Sequence, residues 1–118
     1  MLQDNISNMP PTDPVKLYQE VAALSAGKLK SVLLLMDRAV LLLKEAQADT
    51  ALRPTHTVKV QNILAELERS LNVKEGDQAK ALFVLFDYVF AALNQRNERA
   101  IETALKFLTP LRDTLKKI

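Results

Sequence analysis

Cysteine and tryptophan are absent, glycine occurs twice and histidine once in 118 residues. Without Cys there is no disulfide, no thiolate metal site and no Cys nucleophile, and the chain suits a reducing compartment. The lone His56 has no companions at metal-ligand or catalytic spacing, so it reads as a solvent-facing or capping-region residue. No Gly-rich phosphate loop and no Ser–His–Asp arrangement can be traced. Neither charge sign prevails: 16 basic residues against 14 acidic ones leave +2, spread along the chain except for the basic pair Lys116 and Lys117. That is no nucleic-acid footprint. Long apolar runs are missing too. The densest, VLLLMDRAVLLL at 32–43, is broken by Asp37 and Arg38, whereas a membrane-spanning helix needs roughly 20 apolar residues. The N-terminus lacks the charged start and apolar core of a signal peptide. Composition therefore points to a cytoplasmic protein that is not an enzyme, carries no cofactor or metal, and binds neither nucleic acid nor the bilayer interior.

What is present is apolar surface. Hydrophobic residues make up 48% of the chain, enough for one domain with a real core. Residues 1–13 are polar with two prolines and read as a flexible N-terminal arm, leaving 14–118 as a single helical domain. Asp13-Pro14 resembles an N-cap followed by Pro at the first helical position, so a short helix is expected through VKLYQEVAAL. Four longer helices follow. The first spans about 28–49, with Leu29, Val32, Met36, Ala39, Leu43 and Ala46 at alternating steps of three and four. The second spans about 57–71, with Val60, Ile63, Leu64, Leu67 and Leu71 on one side. The third covers about 78–95. The fourth starts after Asn97, a plausible N-cap, and repeats Ile101, Ala104, Leu108, Leu111, Leu115 and Ile118; Pro110 either kinks it or opens a new segment. No strand pattern competes, and the links are short. The expected fold is all-α, an antiparallel four-helix bundle with a short extra N-terminal helix.

The third helix has more apolar surface than one core stripe requires. At about 100° per residue, Leu82, Phe86, Val89 and Leu93 form a seam, widened by Ala79, Phe83 and Phe90. Ala81, Leu85, Tyr88 and Ala92 fall on the flank and back, with Val84 and Ala91 nearby. Lys80, Asp87 and Asn94 form one narrow polar strip. The first helix repeats this plan fifty residues earlier, with Met36 over Phe86 and Asp37 over Asp87, and with Leu34, Leu35, Leu41 and Leu42 outside its seam. Asp37 and Asp87 read as a solvated strip or as salt-bridge partners of Arg38, Arg96 or Arg112 rather than as paired catalytic carboxylates. Two readings of the surplus stand side by side. Either both helices touch two neighbours, which absorbs it, or it forms a groove for an amphipathic partner helix. Self-association into a homodimer satisfies the same pattern, as does a regulatory adaptor with another client.

The motifs LFDYVFAALNQRN and LKFLTPLRDTLKKI resemble the flagellin-specific export chaperones, the FliS family. The matches are Leu85-Phe86-Asp87-Tyr88, Leu93, Arg96-Asn97 and Leu111-Arg112-Asp113-Thr114-Leu115. The stretches VQNILAELERSLNVKEGDQAKALF and LLLMDRAVLLL are similar to that family's middle section and first helix, and Tyr18 stands where it has an N-terminal Tyr. The sequence departs from the family where Met36 and Phe86 replace tyrosines, Arg38 a small residue, Gly27-Lys28 a Ser-Pro pair and Leu115 a Trp. The resemblance implies a chaperone that binds the disordered C-terminal segment of flagellin, blocks its premature polymerisation and keeps it ready for the flagellar type III export gate. The partner-binding residues expected on this basis are Tyr18, Leu34, Leu41, Leu42, Val84, Leu85, Tyr88 and Ala92, with Tyr18 on a movable lid.

Overall fold

The structure, a computed structural model, describes residues 26–71 and 77–117. The expected N-terminal arm, the short helix and Tyr18 lie outside the described residues. Those described form four α-helices and no strand: α1 (Ala26–Ala48), α2 (Arg53–Ser70), α3 (Asp77–Ala92) and α4 (Glu98–Lys116). Single 3-10 turns, Thr50–Leu52 and Leu93–Gln95, lie in the α1–α2 and α3–α4 links.

The sequence sets these boundaries through local hydrogen bonds. Asp49 leaves helical geometry, and its carboxylate accepts from the Ala51 N–H at 3.0 Å. That satisfies a donor that the short turn leaves without a backbone partner. The second helix begins at Arg53 rather than near Thr57. Pro54 sits in its first turn, where a missing N–H costs nothing. The Arg53 Nε–H reaches back to the Ala46 carbonyl at 3.3 Å and so ties the new helix to the last turn of α1. Asn97 caps α4 as expected, accepting from the Ala100 N–H at 2.8 Å. Pro110 opens no new segment: α4 runs unbroken through it. The Lys106 carbonyl forgoes the partner that residue 110 would normally supply.

α1 packs against α2 and α4, and α3 packs against the same two. The four helices thus form a ring in which α1 and α3 stand at diagonal corners. The described members of each seam point inward, with Leu71 half-buried at the end of its helix; the side chains of Leu29 and Ile118 lie outside the described residues. Val32, Met36, Ala39, Leu43 and Ala46 of α1 are buried, as are Val60, Ile63, Leu64 and Leu67 of α2. So are Leu82, Phe86, Val89 and Leu93 of the third helix and its 3-10 extension, and Ile101, Ala104, Leu108, Leu111 and Leu115 of α4. At roughly 1.5–3 kcal/mol per large apolar side chain, this burial is the main term opposing chain entropy.

The core takes more of α1 and α3 than their seams. Leu85 is only 1% exposed and Leu42 only 6%, which corrects their expected place on outward faces. The cause is the second neighbour of each helix. Tyr88, one turn beyond Leu85, meets Phe107 of α4, so α4 closes over that flank of α3. Glu45, one turn beyond Leu42, meets His56 of α2, so α2 closes over that flank of α1. His56 is likewise buried rather than solvent-facing. Its Nε2–H donates to Glu45 Oε1 at 3.0 Å, and its Nδ1 lies 3.4 Å from the Thr55 hydroxyl.

Among the described residues no helix is long and apolar enough to cross a membrane, and no group of three His, Cys, Asp or Glu side chains is placed to hold a metal ion.

Candidate interaction surface

Among the described residues, four large apolar side chains remain exposed: Leu34 at 62%, Leu41 at 57%, Val58 at 40% and Tyr88 at 39%. Leu34 and Leu41 are seven residues apart on α1, two turns along one face and about 10 Å from each other. They lie on the side of α1 between its contacts with α2 and α4. Tyr88 projects from α3 toward α4, where its ring meets Phe107 edge-on, centroids 5.4 Å apart at 82°. That geometry suits the ring quadrupoles. The Lys106 ammonium sits 5.8 Å from the Phe107 centroid, near the limit for a cation–π contact. Beyond the aromatic pair lies an open depression of about 190 Å³ lined by Tyr88, Ala92, Gln95, Asn97, Arg99, Ala100 and Thr103.

The expected partner-binding residues therefore divide. Leu34 and Leu41 form one exposed stripe on α1. Tyr88 and Ala92, with half-buried Val84, form a second patch toward α4. Because α1 and α3 are diagonal, the two patches do not merge into one groove. Leu42 and Leu85 lie beneath the surface and support it.

The polar strips of α1 and α3 have distinct uses. Asp37 lies 3.7 Å from Arg112 Nη1 and 3.2 Å from Lys116 Nζ, tying α1 to α4. Arg112 also pairs with Asp113 at 3.0 Å. Of the expected partners for Asp37, Arg112 is the one found. Asp87 stays exposed and approaches Glu68 of α2 closely enough to be felt. Partial burial, and secondarily the Asp87 charge, push the Glu68 carboxyl above its ordinary value of 4.5. The folded chain thus holds this proton more tightly than the unfolded chain. Glu68 favours folding below its ordinary value and loses that contribution as pH climbs through the raised one. Glu68→Gln should accordingly melt higher than the parent at neutral pH, with the gap closing below pH 4.5. Melting curves at several pH values check this, and a variant less stable at neutral pH would show that the carboxylate has a favourable partner.

Sequence reasoning missed a polar junction between α2 and the α3–α4 turn, buried at Thr57 and Gln61 and open to solvent at Asn94 and Arg96. The Gln61 amide donates to the Phe90 carbonyl at 3.0 Å and to Asn94 Oδ1 at 2.7 Å. The Arg96 guanidinium donates to Thr57 Oγ1 at 3.1 Å and to Gln61 Oε1 at 3.4 Å. Thr57 in turn donates to the Arg53 carbonyl at 2.7 Å. Arg96 itself has φ 53°, the left-handed geometry that ends a helix. A signal was present: Thr57, Gln61 and Leu64 follow at i, i+4 and i+7, which puts Gln61 on the inward arc of α2.

These ties involve Asn94, Arg96, Asn97, Arg112 and Asp113, polar residues of the motifs LFDYVFAALNQRN and LRDTL. A family model described as flagellar protein FliS matches residues 11–118, which takes in every described helix. No curated protein matches the chain, and no solved structure does. A match of that extent, on a helical bundle whose turns are built by the motif residues, establishes membership: the chain belongs to the FliS family, the chaperones of flagellin export.

Proposed function

We propose that this chain binds the C-terminal segment of flagellin in the cytoplasm, keeps it from polymerising early and presents it to the flagellar type III export gate. The observation that carries this reading is the family match over residues 11–118. The stranded apolar side chains of α1 and α3 support it. An unfolded segment that becomes helical on binding gives up about 1–2 kcal/mol of backbone entropy per residue, so its chaperone needs apolar surface beyond its own core. Leu34 and Leu41 offer such surface at one corner, and Val84, Tyr88 and Ala92 at the other. A client that engages both must wrap around the ring rather than lie in one groove. In this reading the bundle is a single antiparallel domain over 14–118.

The test is co-purification with flagellin, intact and lacking its C-terminal segment. Capture of the intact protein alone is expected. Equal capture of both, or of neither, overturns the proposal. In the second case, a dimer in light scattering would assign the exposed leucines to self-association.

A further inference from the structure

The α1 face that carries Leu34 and Leu41 has an unbalanced charge pattern. Lys30 precedes Leu34 by one turn, Arg38 lies between the two leucines, and Lys44 follows Leu41 by one turn; all three cations are exposed. The helix's two carboxylates, Asp37 and Glu45, stand at the edges of the same face and both have partners on neighbouring helices. Asp37 is held by Arg112 and Lys116 of α4, and Glu45 is held by His56 of α2. Asp37 is thus offset by cations of α4, Glu45 keeps its charge beside His56, and no ion pair forms on Lys30, Arg38 or Lys44 among the described residues, so cations outnumber anions along the stripe. The outcome is cation, leucine, cation, leucine, cation along a little over four turns.

We infer that this stripe docks an amphipathic α-helix of acidic character. Such a helix carries apolar side chains seven apart to cover Leu34 and Leu41, and Asp or Glu on the flanks to meet Lys30, Arg38 and Lys44. The inference rests on the reading of this face as a docking surface and adds the chemistry of its occupant. Complementary charge sets register and speeds encounter, and the buried leucines supply affinity. A second copy of the same face is disfavoured, since it would oppose like charges. Two leucines separated by Arg38 make a stripe too narrow to lie in a lipid interface, where an amphipathic helix presents a broad apolar side.

The test uses the full chain and two fluorescein-labelled 18-residue peptides with one leucine stripe, flanked by Glu in one and Lys in the other. The Glu peptide should bind more tightly, and its affinity should fall between 50 and 300 mM salt. A Lys30→Glu/Arg38→Glu double variant should weaken it about tenfold and reverse the preference between the peptides. Circular dichroism shows that the variant remains folded. Equal binding of both peptides, or binding of the Glu peptide unchanged in the variant, overturns the inference, as does preference for vesicles of anionic phospholipid over either peptide. If the flagellin C-terminal segment binds parent and double variant alike, the inference fails while the proposed function stands. If the Glu peptide behaves as expected and flagellin does not bind at all, the proposed function fails alone.

Discussion

Leu85→Asp should abolish the folded state, whereas Leu34→Asp should leave it intact and lower affinity for the client. The two leucines look alike on a helical wheel, and both fall outside the main seam of their helix. The structure separates them by exposure, 1% against 62%. At Leu85 the substitution removes a packed side chain, worth about 2–5 kcal/mol when truncated. It also places a carboxylate in an apolar interior at a cost of several kcal/mol more. The sum is comparable with the total stability of a domain this size, about 5–15 kcal/mol. No cooperative thermal transition should remain in circular dichroism. Leu85→Met, which keeps volume and polarity, should cost less than about 1.5 kcal/mol. At Leu34 the aspartate stays in water, and stability should change by no more than about 0.5 kcal/mol. Client affinity should nonetheless fall, because an apolar helix laid over that position would desolvate the charge. A Leu85→Asp protein that melts like the parent would mean that α4 does not cover this flank of α3. A Leu34→Asp protein with full client affinity would remove α1 from the docking surface.

That contrast also marks how far the sequence can be read. All four seams were legible, because a repeat of three and four residues names the buried arc of a helix whatever its partners. Its width was not legible on α1 and α3. Periodicity says which residues share a face, but the number of neighbouring helices decides how far burial spreads from its centre. For Leu42 and Leu85, placed among the expected partner-binding residues, the alternative of two neighbouring helices holds instead. Leu34, Leu41 and Tyr88 were assigned outward correctly, since they point between or past the two neighbours. The start of α2 was misread because Arg53-Pro54 is as compatible with the end of a link as with a first helical turn. His56 was read as solvated because its partner, Glu45, is eleven residues away on another helix. The motif residues carried the family without showing why. Arg96 and Asn97 end one helix and cap the next, and Arg112 spans to Asp37, facts that belong to the fold rather than to spacing.

Gln61→Leu should destabilise the chain by about 1–3 kcal/mol even though it makes the interior more apolar. Gln61 is buried and supplies one amide group to two acceptors and one oxygen to a donor. Leucine fits the volume but leaves the Phe90 carbonyl and Asn94 without that donor, and Arg96 with Thr57 Oγ1 alone. A buried polar group left unsatisfied costs about 1–3 kcal/mol, more than its hydrogen bond gains when made. The loss should concentrate where α3 gives way to the Leu93–Gln95 turn, so amide exchange should accelerate there before the rest of the core. Arg96→Gly acts on the same junction with opposing terms. Glycine relieves the left-handed backbone by about 1 kcal/mol, while loss of the guanidinium removes its bonds to Thr57 and Gln61. Its net effect should therefore be small. The double variant tests whether the junction is one unit: once Gln61 is gone, removing Arg96 should cost less than it does in the parent, with a coupling of at least 0.5 kcal/mol or so. Strict additivity would mean that the two side chains act separately. A Gln61→Leu protein as stable as the parent would mean that water replaces the amide, leaving apolar packing alone to hold α2 against the α3–α4 turn.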